Sequence, residues 1–140
     1  MDKSAEYIRM CEEAKEIQKD IPDFDDGDFY YQYPGEGVYA WGGKWSRVGG
    51  VYIAGVDMWP SSDTKVVWLP RQDQLQETYY RMDIQLDYRV ITDMNGFIKE
   101  NLEYVKQFTS LEQLWLAFLM FRKYGKVWDE EKEEWVNQNV

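Results

Sequence analysis

A run of aspartates between residues 20 and 28 is the densest set of side chains in this chain that could do chemistry. Its members are Asp20, Asp23, Asp25, Asp26 and Asp28. Closely spaced carboxylates can bind Ca²⁺, but an EF-hand loop needs acids at positions 1, 3 and 5, Gly at 6 and Glu at 12. With Gly27 at position 6, position 1 is Pro22 and position 12 is Tyr33, so the calcium pattern fails. The run instead predicts a solvated loop. We expect Asp23, Asp25, Asp26 and Asp28 to present negative charge to a partner.

Most residue types that carry out catalysis are missing or isolated. The chain has no His and a single Cys, Cys11. This excludes Ser-His-Asp triads, His metal sites, an intrachain disulfide and CxxC zinc sites. The glycine pairs Gly42-Gly43 and Gly49-Gly50 lack the patterns of phosphate-binding loops and are typical of hairpin turns. No spacing singles out two carboxylates as an acid–base pair. We therefore expect no enzyme, no metal site and no cofactor.

Aromatic residues are concentrated in the middle of the chain. The rings there belong to Tyr30, Tyr31, Tyr33, Tyr39, Trp41, Trp45, Tyr52, Trp59 and Trp68. These exceed the number of rings that the inner face of a small sheet needs, so we expect some of them to be exposed. Exposed Tyr and Trp are enriched at protein interfaces. We predict that Tyr39, Trp41 and Trp45 are apolar anchors of a partner-binding surface.

Arg71 lies at the predicted start of a helix. Pro70, just before it, suits the first helical turn, because its missing N–H would have no partner there. An arginine beside the free amides of a helix N-terminus can bind an anion, and Gln72 and Gln74 could contact a polar ligand. Helix capping and surface packing are the other interpretation of the same residues.

Net charge limits the kinds of partner. The chain has 16 basic and 26 acidic residues, a formal net charge of −10 at pH 7. Residues 1–28 carry an excess of acids, and a second acidic run covers residues 129–134. Such a surface repels phosphates and anionic lipid. We therefore expect no direct nucleic-acid binding, no membrane association and a partner with a basic surface.

The pattern of apolar residues predicts an α+β fold in a single domain covering residues 1–140. The predicted elements are a helix at 2–20, a strand-rich segment at 28–69, a helix at 70–82, a strand at 84–90, a helix at 110–124 and a short terminal hairpin at 126–136. We expect the strands at about 29–69, together with 84–90, to form a small antiparallel meander. An N-terminal helix and a buried C-terminal helix pack against this sheet. Residues 97–108 fit both a helix and a loop.

The helix at 110–124 has the clearest boundaries. Thr109 and Glu112 have the spacing of a capping box, and Gly125 stands where a left-handed residue ends a helix. The helix is apolar all round between Leu114 and Phe121, which predicts that it is buried or contacts a partner. This run is shorter than the roughly 20 residues of a membrane span, and the N-terminus has no signal-peptide pattern. We expect a cytoplasmic protein of a bacterial host cell.

Several segments resemble a known group of proteins. They are WLPRQDQLQ at 68–76, LEQLWLAF at 111–118, YGKVW at 124–128 and EWV at 134–136, together with YIRMCE at 7–12 and GDFY at 27–30. These segments are similar to small phage and prophage proteins of Gram-positive bacteria. The resemblance covers both ends and the centre of the chain but not residues 34–62. It implies a phage-type origin and assigns no activity to any residue.

Three functions are consistent with these features. The first is an acidic phage-type protein that inhibits a host or defence macromolecule by binding it, with carboxylates that imitate nucleic-acid phosphates. The second is a protein that sequesters a small nucleotide signal between aromatic rings and Arg71. The third is a phage structural or assembly protein, in which Leu114–Phe121 could join copies of the chain into a homo-oligomer. The missing catalytic residue types favour binding over catalysis.

Overall fold

A computed structural model describes residues 1–19, 27–33, 37–41, 46–48, 51–54, 65–80 and 88–138. The chain divides into two compact units. Residues Lys3–Arg71 are called here the sheet unit, and Met1–Asp2 with Gln72–Val140 are called the helical unit. Helices and a small, mostly antiparallel sheet confirm the predicted α+β fold class. Within the described ranges, no helix is both long and apolar enough to cross a membrane.

The sheet unit opens with helix α1 (Ala5–Glu13). Ser4 caps this helix by accepting a hydrogen bond from the backbone N–H of Tyr7 at 3.2 Å. The bond satisfies one of the amides that a helix start leaves without a partner. The buried face of α1 includes Tyr7 and Cys11, as the three- and four-residue spacing of apolar residues predicts. The Tyr7 hydroxyl donates to the carbonyl of Pro70 at 2.5 Å and so fastens α1 to a distant part of the unit.

Helix α2 (Lys15–Gln18) follows after a break at Ala14, which corrects the prediction of one continuous helix over 2–20. Ala14 has a ψ of 67° instead of a helical value, although Ala is the best helix former. Beside the break, the carbonyl of Cys11 accepts from the backbone N–H of Ala14 at 3.2 Å and from the side-chain Nε2 of Gln18 at 3.0 Å. The contacts that Gln18 makes from this position offset the lost helical hydrogen bonds.

Five strands of the described residues form one sheet in the sheet unit. They are β1 (Phe29–Tyr33), β2 (Gly37–Trp41), β3 (Ser46–Val48), β4 (Val51–Ala54) and β5 (Lys65–Leu69). Their order is β3-β4-β2-β1-β5, so β1 lies between β2 and β5, and it is antiparallel to both. The register places Tyr30 opposite Tyr39 on one side and opposite Trp68 on the other.

The sheet departs from the predicted meander at one pairing. β2 pairs with β4 in parallel, while β3 and β4 pair as an antiparallel hairpin. Gly49-Gly50 thus separates strands that pair, whereas Gly42-Gly43 separates strands that are not neighbours in the sheet. Both glycine pairs suit a tight turn between β-prone segments, so the local sequence does not decide which of them joins a hairpin.

Helices and a hairpin make up the described part of the helical unit. The elements are α3 (Gln72–Tyr80), α4 (Tyr88–Glu100), α5 (Leu102–Val105), α6 (Leu111–Tyr124), β6 (Lys126–Asp129) and β7 (Glu134–Asn137). α3 and α6 lie inside the predicted helices at 70–82 and 110–124, and β6 pairs with β7 across the predicted hairpin. Gly125 ends α6 with a φ of 64°, the left-handed conformation that the sequence predicts there.

In two segments of this unit, the structure settles an undecided prediction or corrects one. Residues 97–108, which the sequence leaves undecided, contain the end of α4 and the short α5. The prediction of a strand at 84–90 is wrong for Tyr88, Arg89 and Val90, because these residues begin helix α4. Residues 84–87 lie outside the described residues. Val90, Met94 and Phe97 are buried along α4. Their three- and four-residue spacing is a helical period that takes over from the two-residue alternation before it.

Helix α6 supplies much of the core of the helical unit. Its buried apolar residues are Trp115, Leu116, Ala117, Phe118, Leu119 and Met120. Phe118 is central to a cluster of rings, with centroid distances of 4.9 Å to Tyr79 and 5.3 Å to Phe97. Burial of Trp115–Met120, the middle of the apolar run Leu114–Phe121, therefore needs no second copy of the chain. A homo-oligomer through this helix stays a prediction.

Ser110 and Gln113 cap the start of α6, one residue later than the predicted box of Thr109 and Glu112. Ser110 Oγ accepts from the backbone N–H of Gln113 at 3.1 Å, and Gln113 Oε1 accepts from the backbone N–H of Thr109 at 2.9 Å. Both capping side chains also bind Asp2: Ser110 Oγ donates to its carboxylate at 2.5 Å and Gln113 Nε2 at 2.8 Å. A carboxylate at a helix N-terminus is favoured by the helix dipole, so Asp2 completes the cap.

Phe118→Ala is expected to lower the free energy of unfolding by about 3–5 kcal/mol, because it removes a fully buried ring and leaves a cavity. Urea unfolding followed by circular dichroism measures the change. Leu111→Ala, on the same helix, is the control: Leu111 is 57% exposed, so its loss should change stability by less than about 0.5 kcal/mol. Equal, small changes in both variants would contradict the assignment of α6 to the core.

Candidate functional site

Four of the eight residues predicted to bind a partner lie in the described part of the chain. They are Asp28, Tyr39, Trp41 and Arg71, and all four belong to the sheet unit. The other four, Asp23, Asp25, Asp26 and Trp45, lie outside the described residues.

The sheet brings three of these residues to one end. Asp28 precedes β1, Trp41 is the last residue of β2 and Arg71 follows shortly after β5. Because β1 is antiparallel to both neighbours, with Phe29 opposite Ala40 in β2, the start of β1 meets the ends of β2 and β5. From the sequence, these residues belong to three different candidate sites, whereas the fold makes them neighbours.

An ion pair fastens this end of the sheet. Arg71 Nη1 lies 2.9 Å from Asp28 Oδ1 and also donates to the carbonyl of Gly27 at 2.9 Å. The backbone N–H of Trp41 donates to the carbonyl of Asp28 at 2.8 Å, and the N–H of Gly27 donates to the carbonyl of Trp41 at 2.9 Å. Gly27 has a φ of +90°, which a side chain would strain. These contacts fix the backbone of Trp41 at the end of β2.

The same contacts change the role of Asp28. Its side chain is only 6% exposed, while that of Arg71 is 33% exposed. The carboxylate is therefore held against the guanidinium of Arg71, and its charge is largely neutralised where it lies. Asp28 therefore stabilises the end of the sheet. It does not present negative charge to solvent, contrary to the sequence prediction for the aspartate run.

One face of the sheet carries a cluster of rings. Tyr30 lies opposite both Tyr39 and Trp68, and cross-strand partners share a face. Trp41 shares that face because it lies two residues after Tyr39. The rings of Tyr30 and Tyr39 stack with centroids 5.3 Å apart and planes at 12°. Tyr30 and Trp68 are buried, while Tyr39 and Trp41 are partly exposed. We call Tyr39 and Trp41, with the two buried rings behind them, the aromatic surface.

Tyr30 is a neutral member of this cluster. Burial, together with the neighbouring Tyr39, raises the pKa of Tyr30 to about 12. The hydroxyl of Tyr30 therefore stays protonated at physiological pH and adds no charge to the aromatic surface.

The opposite face of the sheet carries a charged cluster that the sequence does not predict. Glu12 of α1 is 9% exposed and binds Lys65 of β5 through Oε1. Its Oε2 lies 3.2 Å from Arg9 Nη1 and 3.5 Å from the Tyr33 hydroxyl. Sequence spacing places Glu12 on the polar side of a helix, and only the register that pairs Tyr33 with Lys65 reveals its partners.

Opposing effects act on the pKa of Glu12. Burial raises it, but the hydrogen bonds and positive charges of Lys65 and then Arg9 outweigh burial and leave the pKa below its ordinary value. The carboxylate is therefore ionised at neutral pH and binds the positive charges of Lys65 and Arg9.

The helical unit presents the second acidic run at the turn between β6 and β7. Glu130, Glu131, Glu133 and Glu134 are exposed there. Asp129 Oδ1 holds the turn by accepting from the backbone N–H groups of Glu131 and Lys132, each at 3.1 Å. The turn is an ordered array of carboxylates that faces solvent.

The described side chains form no group of three His, Cys, Asp or Glu residues that could hold a metal ion. Comparison with protein families, curated proteins and solved structures finds no match to this chain. The aromatic surface, the Asp28–Arg71 pair and the acidic turn offer apolar contact area and charge, which are the requirements of recognition.

The cluster around Glu12 predicts a dependence of stability on acid. Because folding lowers the pKa of Glu12 below its ordinary value of 4.5, the unfolded state binds the proton more readily. The contribution of this group is fully present above that pH and is lost as the pH falls through the folded-state pKa. Glu12→Gln is therefore expected to flatten the decline of stability in acid. At neutral pH it should cost about 1–2 kcal/mol, since charged hydrogen bonds are lost but the ends of their partners are hydrated.

Urea unfolding at a series of pH values measures this effect. Glu103→Gln is the control, because the Glu103 side chain is 87% exposed, and its profile should match that of the wild type. A Glu12→Gln profile as steep as the wild-type profile would contradict the role given to Glu12.

Proposed function

We propose that this protein acts by binding another protein and that the site performs no catalysis. The observation that carries the proposal is the pair of partly exposed rings, Tyr39 and Trp41, held at a fastened end of the sheet. We infer a host or defence protein with a basic surface as the partner. The resemblance to phage proteins supports a role as its inhibitor.

The position of Trp41 supports its role as an anchor. Its backbone is bonded on both sides, to Gly27 and Asp28, and Asp28 is in turn held by Arg71. A ring that is placed before binding loses little conformational entropy in the complex. Trp and Tyr are also the residues that most often dominate the binding energy of an interface.

Negative charge supports fast approach to a basic partner. The chain has a net charge of −10, and the turn between β6 and β7 exposes four glutamates. Asp23, Asp25 and Asp26 add further carboxylates close in sequence to Asp28. Long-range attraction raises association rates and is weakened by salt. Carboxylates in a row can stand in for the phosphates of a nucleic acid in a basic groove, which is the mimicry we propose.

The contacts of Arg71 disfavour the alternative function, in which the protein sequesters a nucleotide. Its Nη1 already binds Asp28 and the carbonyl of Gly27. An anionic ligand would have to compete with a buried carboxylate for this cation, so the geometry supports protein binding better. A phage assembly role would use the same surfaces and differ only in the partner.

Trp41→Ala is expected to raise the dissociation rate from the partner about 30-fold or more, because loss of an anchoring ring costs about 2 kcal/mol or more. The partner is first recovered from bacterial host lysate on the immobilised protein, and surface plasmon resonance then measures the rates. Tyr124→Ala is the control, since Tyr124 is a partly exposed ring of the helical unit; its rates should equal those of the wild type. If Trp41→Ala also dissociates at the wild-type rate, the aromatic surface is not the binding surface.

Replacing Asp23, Asp25 and Asp26 together with Asn is expected to slow association, and the difference should fade at high salt. Asp28 is left unchanged because its replacement would disturb Arg71. A matched triple variant replaces the exposed Glu77, Glu100 and Glu103 with Gln and changes net charge equally. Equal slowing in both variants would show that total charge acts and the aspartate run does not. A nucleotide that co-purifies with the protein would favour the sequestering alternative.

A further inference from the structure

We propose that the outer edge of β5 is a latent surface for pairing with the same edge of a second copy of this chain, and that Gln18 keeps it closed. The inference rests on the hydrogen bonds between Gln18 and Trp68 and is independent of the proposed partner.

The side chain of Gln18 takes the place of a neighbouring strand. Among the described strands, β5 is the last in the order of the sheet, with β1 on its inner side. On the outer side, Gln18 Oε1 accepts from the backbone N–H of Trp68 at 2.9 Å, and Gln18 Nε2 donates to the Trp68 carbonyl at 2.9 Å. In an antiparallel ladder, two opposed residues exchange such a pair of bonds. A primary amide carries the same donor and acceptor as a peptide group, so Gln18 imitates one residue of an added strand.

The break in the N-terminal helix orients this amide. Nε2 of Gln18 donates to the carbonyl of Cys11 at 3.0 Å as well as to that of Trp68 at 2.9 Å. The Cys11 carbonyl lies at the interruption of the helix, where it also accepts from the backbone N–H of Ala14 at 3.2 Å. The amide is therefore bonded on two sides, which fixes its plane against the edge. This gives the interruption of a segment with good helical propensity a structural purpose.

The sequence of β5 identifies a second copy as the occupant. Its residues Val66-Val67-Trp68-Leu69 are β-branched, aromatic or apolar and carry no charge, a composition that favours pairing between identical segments. Two copies present identical edges, so antiparallel pairing across a two-fold axis closes on itself. Pro70 limits the edge at one end, and the charge of Lys65 at the other end is engaged by Glu12. The middle of the strand is thus left to Gln18.

Gln18→Ala is expected to associate, with an average mass at least twice that of the wild type at high protein concentration. Size-exclusion chromatography with light scattering measures the mass, and circular dichroism verifies that each variant is folded. Gln107→Ala is the matched control, because Gln107 Nε2 also donates to a backbone carbonyl, that of Tyr104 at 2.8 Å, but within the helical unit. Its mass should equal that of the wild type.

A second change distinguishes edge pairing from general loss of structure. By the alternation of the ladder, the N–H of Val66 points outward like that of Trp68, and proline is tolerated at such edge positions. Gln18→Ala combined with Val66→Pro is therefore expected to return to the wild-type mass. The proposal is overturned if folded Gln18→Ala keeps the wild-type mass, if Gln107→Ala associates equally, or if Val66→Pro does not reverse the association.

Hydrogen exchange of the wild-type protein gives an independent test that needs no variant. The amide of Trp68 should exchange much more slowly than the outward amide of Val66, because only the former is bonded to Gln18. Equal exchange at both amides would overturn the proposal even if Gln18→Ala does not fold.

Discussion

The two-residue alternation of β1 is the constraint on which the sheet unit depends. β1 is hydrogen-bonded on both sides, so each of its side chains is assigned to one of two faces. Tyr30 goes to the aromatic surface and Tyr33 to the cluster around Glu12. A slip of one residue would exchange these faces. Ionic contacts oppose a slip at each end of the strand, through Asp28 and Arg71 at its start and through Glu12 and Lys65 at its end.

Charge is handled differently inside and outside this framework. In the described part of the chain, the buried acids Asp28 and Glu12 each lie against a cation. The glutamates of the β6–β7 turn face solvent. Burying a charge without a partner is costly, whereas a solvated charge acts at long range. Among the described residues, the solvated glutamates of this turn can act on a distant partner, and the buried pairs contribute geometry.

Local signals in the sequence predict part of the fold. The left-handed cap at Gly125 and the buried helix before it follow from residue types at fixed spacing. The cap at Ser110 is displaced by one residue from the prediction because Asp2, distant in sequence, binds both of its capping side chains. No glycine or proline near Ala14 predicts the break in the helix there. The break depends on bonds from Gln18 to Trp68, which no helical pattern contains.

The candidate site shows the same division. Exposure of some central rings follows from counting more of them than one sheet face can bury, and Tyr39 and Trp41 are partly exposed. The pairing of Asp28 with Arg71 joins residues 43 positions apart and follows only from the order of the strands. The same is true of Glu12 and Lys65. Residue types thus indicate which groups are available, while strand order decides which of them meet.

The partly exposed aromatic rings and the closed edge of β5 are related, because both affect whether copies of the chain associate with each other. A protein that binds through apolar rings must keep those rings partly hydrated and still avoid its own copies. Repulsion between like charges opposes the approach of two copies, but salt largely screens this repulsion beyond about 10 Å. At closer range, hydrogen bonding between exposed strand edges competes with the repulsion. Gln18 acts at that range by bonding the backbone of Trp68 directly.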